Sequence, residues 1–289
     1  MSHERVIDWR KPIWPNIVGI LLIHILAIGA FFPQLFSWSG IAWFFILYLV
    51  SGFGITMGYH RLFTHESFKT SKLMAYCIAI SGSLAWQGSI FTWVKVHRRH
   101  HQYSDKEKDP HSPQHGFDWA HMLWPLFRSK FAFDLASVTI KLEKDPIFRL
   151  IDRFHWLPQV VLTVGLYLAG YLTGGHELAL SWIVWGTGLR TALMYHSTWF
   201  VNSWCHVSGY RNFDTNDNSR NSQVVAVLAL GEGNHNNHHA QPRSAAHGMR
   251  WYEFDPTYWL IIFLSRLGLV WDIKKPERPQ GPRLPKKVV

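Results

Sequence analysis

The stretch PIWPNIVGILLIHILAIGAFFPQLFSWSGIAWFFILYLVSGFGITMGYH, residues 12–60, decides the fold because it contains no Asp, Glu, Lys or Arg. A helix of roughly 20 apolar residues crosses a bilayer, so this run is long enough for two spans. Pro33 and Gly40 mark its most turn-prone part. We therefore expect membrane-spanning helices at about 13–33 and 40–59.

A second apolar region covers residues 157–201 and is interrupted by Gly174 and Gly175. Glycine pairs favour a turn, so this region predicts spans at about 157–174 and 178–201. Together the two regions predict an all-α integral membrane protein with four transmembrane helices.

The segment 73–94 is uncharged and also long enough to cross a membrane. A single crossing would put His60 and His97 on opposite membrane faces, where they could not share a site. We therefore expect an interfacial or re-entrant segment. The whole chain, residues 1–289, is then one domain whose cytoplasmic helical cap carries the histidines.

The distribution of charge indicates the orientation. The chain has 29 Lys and Arg against 19 Asp and Glu, yet the expected outer turns, residues 33–40 and 174–181, contain no Lys or Arg. Positive residues collect on the cytoplasmic side, so the histidine-rich side and both termini are expected to be cytoplasmic. The net charge of +10 fits this orientation and contact with anionic lipid, whereas no nucleic-acid-binding motif accompanies it.

Half of the 18 histidines fall into motifs: HRLFTH at 60–65, HRRHH at 97–101, HNNHH at 235–239, and the single His206. In the second and third motifs the histidines follow i, i+3, i+4 spacing, which places them on one helix face. Each of these triplets is therefore expected to direct three imidazoles at one common point. The two histidines of the first motif lie about 140° apart on a straight α-helix, so a helix end or a distortion is required.

This many imidazoles exceeds the needs of one metal ion, since a structural zinc site takes four ligands and a catalytic one usually three. Two metal ions are the natural inference, and imidazole suits iron, copper, zinc or nickel. His24 is expected to be hydrogen-bonded within the first span. Structural roles, or roles in orienting the ligands, are expected for His111, His115, His121, His196 and His247.

The order and content of the motifs resemble the membrane-bound fatty-acid desaturases of the stearoyl (delta-9) acyl type. The resemblance rests on four stretches: GYHRLFTH at 58–65, HRRHH at 97–101 with Asp109-Pro110-His111, Asn202-Ser203 with His206, and GEGNHNNHH at 231–239. It implies four transmembrane helices with a cytoplasmic cap that holds two Fe²⁺ ions. The ligands that it implies are His60, His65, His97, His100, His101, His206, His235, His238 and His239, with Asn202 reaching a metal through water.

The same resemblance implies a bent, apolar substrate tunnel beside the metals. Gln87, Trp93 and Thr198 match positions that line the bend, and Trp199 is expected to help shape it. Tyr48 and Gly52 match positions that close the far end. One departure is Asn234, where a bulky aromatic residue is common, which leaves the local packing open.

The implied activity is oxygen-dependent introduction of a cis double bond at delta-9 into a saturated acyl chain carried by coenzyme A or a glycerolipid. The chain has no G-x-G-x-x-G fingerprint and no cysteine cluster, so a separate ferredoxin-like or cytochrome-type electron donor is expected. Two alternatives use the same residues. One is a histidine-rich membrane di-iron hydroxylase, and the other is a metal transporter or sensor.

Overall fold

The computed structural model describes residues 7–129 and 139–277, and this part of the chain is mostly helical. The α-helices are α1 (Trp14–Ile28), α2 (Trp38–Phe53), α3 (Lys72–Ser83), α4 (Ile90–Tyr103), α5 (Ile140–Glu143), α6 (Pro146–Arg153), α7 (Leu157–Ile183), α8 (Arg190–Asn202), α9 (Gln223–Leu228), α10 (His235–Ala240) and α11 (Pro256–Arg266). Segments of π-helix are Gly54–Thr64, Trp119–Leu123 and Val184–Leu189, and short 3₁₀ turns are Gly29–Phe31, Pro33–Leu35, Pro113–His115 and Trp204–His206.

Two small antiparallel sheets were not predicted. Strand β1 (Ile7–Pro12) pairs with β3 (Phe127–Ser129), and β2 (Lys69–Thr70) pairs with β4 (Val270–Trp271). Strands this short carry too little alternation of polar and apolar residues to be recognised. The expected all-α class therefore needs this correction, although helices still form the bulk of the described residues.

Three helical stretches of the described chain are long and apolar enough to cross a membrane: Trp14–Phe31, Trp38–Thr64 and Leu157–His206. The third is not one straight rod. Its backbone is non-helical at Gly174 and at Gly175, whose φ of 79° is readily adopted only by glycine.

Contacts across this break show that the third stretch is a helical hairpin. The Oγ1 atoms of Thr163 and Thr187 lie 3.0 Å apart, and the Tyr167 hydroxyl lies 3.0 Å from Nδ1 of His176. On a straight helix the two threonines would be about 36 Å apart. The halves on either side of the two glycines therefore pack against each other in antiparallel directions.

The segment 73–94 is divided between α3 and α4, which are joined by residues 84–89. Trp86 (φ 55°) and Gly88 (φ 93°) break the helix, and the Ser89 side chain then accepts from the Thr92 amide to cap the start of α4. Helix α3 packs against the π-helix Gly54–Thr64 so closely that a Cβ atom on Gly54 would lie 2.2 Å from the backbone nitrogen of Gly82.

Candidate functional site

The first motif lies on the π-helix that continues α2. The amide of His65 donates to the carbonyl of His60 at 3.2 Å, which is the i→i+5 bond of a π-helix. A π-helix brings residues five positions apart onto the same face, so the rings of His60 and His65 meet with their centroids 4.9 Å apart. The distortion that the five-residue spacing required is therefore the π-helix itself.

The second and third motifs lie on α4 and α10, as their spacing predicts. The expectation that each triplet shares one point is wrong, however. On α4, His97 and His101 join one group of rings, whereas His100 joins another. On α10, His238 joins the first group, whereas His235 and His239 join the second. Positions i+3 and i+4 differ by about 100° around a helix, so two adjacent sites can divide one motif between them.

Two groups of imidazoles result. The first contains His60, His65, His97, His101 and His238, and the second contains His100, His206, His235 and His239. In both groups Nε2 atoms face each other: His97 with His65 at 3.1 Å, His97 with His101 at 3.0 Å, His238 with His101 at 2.8 Å, His238 with His60 at 3.0 Å, His100 with His239 at 3.2 Å, and His206 with His235 at 2.9 Å.

Carboxylates occupy the far side of several rings of the second group. Their bonds join Nδ1 of His206 to Asp105 at 2.9 Å, Nδ1 of His239 to Asp217 at 2.7 Å and Nδ1 of His100 to Asp109 at 3.0 Å. A carboxylate accepts a hydrogen, so each ring carries its proton on Nδ1 and presents a lone pair at Nε2. Lone pairs that converge within about 3 Å repel one another unless a cation lies between them, so the donor set fits a metal ion.

The first group has its own acidic support at Glu232, which follows α9. Its Oε2 lies 2.6 Å from Nδ1 of His60 and 3.0 Å from Nδ1 of His247. Its Oε1 accepts from the fully buried Arg61, which also bonds to Asp255 at 2.9 Å. This ion network fixes the π-helix to the segment that precedes α11.

The electrostatics keep these rings neutral. Burial, followed by the neighbouring histidines, lowers the pKa of His97, His101 and His238 well below the ordinary value. Burial alone raises the pKa of Glu232, yet His247, His60 and Arg61 prevail and lower it. Neutral imidazoles beside ionised carboxylates are the protonation states that metal binding requires.

The supporting acids were missed by sequence reasoning. Asp109 and Glu232 lie inside the motifs that were recognised, so their position next to the histidines was a usable signal. Asp105 and Asp217 lie in loops, and the Asp105–His206 bond joins residues 101 positions apart. No local spacing reveals such a pair.

The two asparagines of HNNHH were also unassigned. Asn236 accepts from two backbone amides of the loop at Asn212, and Asn237 accepts from the side chain of Asn221 at 2.9 Å. Both are fully buried and hold α10 in place. Asn234 is likewise buried, and it donates to the carbonyl of Phe254 at 2.9 Å, so this departure from the family pattern is hydrogen-bonded.

A largely apolar pocket adjoins both groups. It is lined by Gly52, Ile55, Thr56, His60, Trp93, His97, Met194, Thr198, Val201, Asn202, Leu228, Ala229, Leu230, Glu232 and His235. Besides His60, His97 and His235, four other residues singled out from the sequence are among them: Gly52, Trp93, Thr198 and Asn202.

The other expected substrate residues stand beside this lining. Gln87 donates to Thr198 Oγ1 at 2.8 Å, so it braces the wall of the pocket. Tyr48 bonds to Ser197 at 2.7 Å and to the carbonyl of Leu228 at 2.6 Å. Trp199 is buried in a separate hydrophobic cluster, where it stacks on Tyr195.

Three further histidines form a separate row, named here the histidine row: His24 on α1, His196 on α8 and His121 on the π-helix Trp119–Leu123. Nε2 of His24 lies 3.1 Å from Nε2 of His196, and Nδ1 of His196 lies 3.0 Å from Nε2 of His121. The ends of the row bond to the carbonyl of Ile20 at 2.7 Å and to Ser203 Oγ at 3.0 Å. His24 is thus hydrogen-bonded, as expected.

The remaining histidines divide by position. His111 packs against His100 with ring centroids 4.4 Å apart, and His247 packs against His60 with ring centroids 5.2 Å apart. Both therefore lie directly behind the two groups. His115 bonds instead to the carbonyl of Glu107 at 3.2 Å.

Comparison with known proteins identifies the chemistry that this geometry serves. The fatty acid desaturase family model matches residues 36–262. The sn-1 stearoyl-lipid 9-desaturase of Synechocystis sp. is 41% identical over 92% of this chain and 81% of its own length, and the enzyme of the same name from Anabaena variabilis is 40% identical over 92% and 96%. The palmitoyl-monogalactosyldiacylglycerol delta-7 desaturase of Arabidopsis thaliana is 38% identical over 96% and 73%.

These matches confirm the resemblance found in the motifs and favour a desaturase over a hydroxylase or a metal transporter. The histidine groups are the candidate metal site of that enzyme, and a fatty-acyl chain and O₂ are its substrates by family. The chain belongs to the fatty acid desaturase family and is an oxidoreductase.

Proposed function

We propose that this enzyme introduces a cis double bond at delta-9 into a saturated acyl chain carried by a glycerolipid. Two of the relatives described above are named for the 9 position and one for the 7 position, which favours delta-9. All three names specify a lipid-bound chain, so we place a glycerolipid ahead of coenzyme A. The observation that carries the proposal is the apolar pocket that ends at both histidine groups.

The metal centre is proposed to hold two Fe²⁺ ions. The ligands would be His60, His65, His97, His101 and His238 for one ion and His100, His206, His235 and His239 for the other. Asn202 would act through water, since it ends α8 and lines the same pocket as His60, His97 and His235. Bound iron would supply, with O₂, an oxidant strong enough to act on an unactivated methylene, which no side chain can do.

The residues of the chain supply binding and orientation. Apolar walls from Ile55, Met194 and Leu228 would exclude water and hold the acyl chain. Trp93, which stacks on His97 with centroids 5.0 Å apart, and Thr198 would align one C–C bond beside the rings. Such alignment is the main contribution that a protein makes when the cofactor performs the hard step.

The balanced reaction requires a partner. A saturated CH₂–CH₂ unit, O₂, two electrons and two protons give CH=CH and two molecules of water. The chain has no dinucleotide fingerprint or cysteine cluster. A separate ferredoxin-like or cytochrome-type protein is therefore proposed as the electron donor, with no role for nucleic acid.

Four membrane spans are proposed, with the histidine-rich cap in the cytoplasm. The helical hairpin at Gly174 supports two spans within Leu157–His206, and the break at 84–89 supports a re-entrant pair. The 3.1 Å approach of His65 and His97 also argues against a single crossing between them. Residues 1–6 and 278–289 lie outside the described part, so the cytoplasmic termini and the 1–289 domain remain proposals from the sequence.

The test is expression in a bacterial host with an electron donor, followed by mass spectrometry of the total fatty acids with derivatised double bonds. New cis monounsaturated chains with the bond at carbon nine are expected, and His97→Ala should lack them. Hydroxylated chains, or unchanged lipids with the iron-loaded protein present, would contradict the proposal. Analysis of the lipid and coenzyme A fractions after a short pulse identifies the carrier.

The far end of the pocket is proposed to lie at Gly52 and the adjacent Tyr48. A Cβ atom on Gly52 would lie 2.6 Å from Leu230 Cδ1 and 3.0 Å from Met194 Cε. Both are ends of flexible side chains, so Gly52→Leu can be accommodated by local movement while it shortens the pocket. Shorter products are expected from this variant, and an unchanged chain-length profile would rule the assignment out.

A further inference from the structure

The connection between α3 and α4, residues 84–89, is held against α8 by a row of polar contacts named here the α8 ladder. Its contacts are Arg190 Nη1 to the carbonyl of Leu84 at 2.6 Å, the Tyr195 hydroxyl to the carbonyl of Trp86 at 3.0 Å, and Gln87 Nε2 to Thr198 Oγ1 at 2.8 Å. Three successive turns of α8 therefore bind three neighbouring residues of the connection.

Local structure explains why the ladder forms. Tyr195 and Thr198 lie on one face of α8, because residues three apart are neighbours on a helix surface. Arg190 lies about 140° around the helix from Tyr195, and its long side chain reaches the same connection. Helix α3 ends at Ser83, and the carbonyls at a helix C-terminus have no partner within the helix. Side chains of α8 supply the missing donors to Leu84 and Trp86.

Arg190 makes this attachment hard to shift. Its side chain is fully buried, and its other acceptors are Gln159 Oε1 at 2.8 Å, the carbonyl of Gly186 at 3.0 Å and Ser51 Oγ at 3.4 Å. Within residues 7–129 and 139–277 no carboxylate forms an ion pair with it. A buried cation is costly unless its donors are satisfied, so displacement of Leu84 would leave it short of an acceptor.

The connection leads directly into the pocket and the metal site. Gln87 Oε1 lies 3.5 Å from Nε1 of Trp93, which lines the pocket one turn into α4. The same helix carries His97 one turn further on. Movement of the connection along α8 would therefore shift the pocket wall and the histidines of α4 relative to Thr198.

We propose that Arg190 and Tyr195 are positioning residues that set the register of α4 against α8 and thereby select which acyl carbon is desaturated. The inference rests on the proposed function, because it takes the pocket as the acyl site. Neither residue lines the pocket or approaches the histidine groups. Their effect is on the position of the double bond, whereas a residue that only stabilised the fold would change the amount of product.

The experiment compares double-bond positions in products of the full-length enzyme and three variants, by mass spectrometry after derivatisation. Tyr195→Phe removes one hydroxyl, and Arg190→Lys keeps the charge but loses the multiple donors of the guanidinium. Thr163→Val is the matched control, because it removes the polar contact to Thr187 in the same bundle but does not touch the connection. For Tyr195→Phe, the ratio of displaced to main position should rise about fivefold, the effect of one hydrogen bond.

A larger displacement is expected for Arg190→Lys and none for Thr163→Val. The inference is overturned if both ladder variants keep the wild-type position while yields fall, or if the control displaces the bond equally. If Arg190→Lys does not accumulate, Tyr195→Phe decides alone. A wild-type enzyme without any unsaturated product would instead overturn the proposed function, so the two failures are distinguishable.

Discussion

Two histidine networks of this molecule differ in how their ring nitrogens are hydrogen-bonded. One is the paired groups at the pocket and the other is the histidine row. In the row, His24 donates from Nδ1 to a carbonyl, so its Nε2 accepts from His196, whose Nδ1 in turn accepts from His121. Every neutral ring uses one donor and one acceptor. In the paired groups, carboxylates hold the protons on Nδ1 and the Nε2 lone pairs of different rings face each other.

The difference shows that clustering of histidines does not by itself indicate a metal site. The row satisfies its own hydrogen bonds without any cation, since donors and acceptors alternate. The paired groups cannot do so, because at least His100 and His239 present two acceptors to each other at 3.2 Å. A carboxylate on the far nitrogen is therefore the more informative feature.

The largest expected contrast is between one ring from each network. His238→Ala removes a ring that contacts both His60 and His101, so metal content should fall and product should be abolished. His196→Ala breaks only hydrogen bonds, so wild-type metal content should persist with a loss of about 1–3 kcal/mol in stability. Metal analysis by mass spectrometry and thermal unfolding of both variants test this. Equal metal loss in the two would remove the distinction.

A smaller effect is expected from the supporting acids. Asp217→Asn should weaken metal binding by about 10–100-fold, because His239 loses the carboxylate that fixes its tautomer. Competition with a chelator measures the change. Asp272→Asn is the control, since that carboxylate forms only an exposed ion pair with Lys69 at 2.7 Å. Unaltered chelator resistance in Asp217→Asn would argue against the tautomer role.

The smallest effect concerns pH in the metal-stripped protein. Burial, followed by nearby Arg61, lowers the pKa of His247 to about 4 although Glu232 opposes this. Between the ordinary pKa of 6.5 and that value the unfolded chain binds more protons, so stability decreases as the pH falls through this window.

Thermal unfolding across this pH range provides the measurement. In His247→Asn the stability should depend less steeply on pH than in the wild-type protein, because one of the buried rings that resist protonation is gone. An identical slope in the two proteins would show that His247 does not contribute to the pH dependence.

Much of the fold followed from local patterns. The charge-free run at 12–60 predicted two apolar helices, and Trp14–Phe31 and Trp38–Thr64 are both long enough to cross a membrane. The glycine pair at 174 and 175 predicted the turn that divides the third stretch. The motif spacing placed His97 on α4 with its neighbours. Helical periodicity and glycine conformation depend on a few adjacent residues, so the sequence carries this information directly.

The division of the histidines into two groups did not follow from local patterns. Spacing could not show that His97 and His100 belong to different groups. The side chains of a helix can face either of two sites until the packing of the surrounding elements is known. Nor could it pair Asp105 with His206 or Arg190 with Leu84, which lie 101 and 106 positions apart. By itself the sequence determined the long apolar helical stretches, the motif helices and the family. Only tertiary packing decided which rings meet and which acids orient them, since these contacts join segments that are distant in the chain.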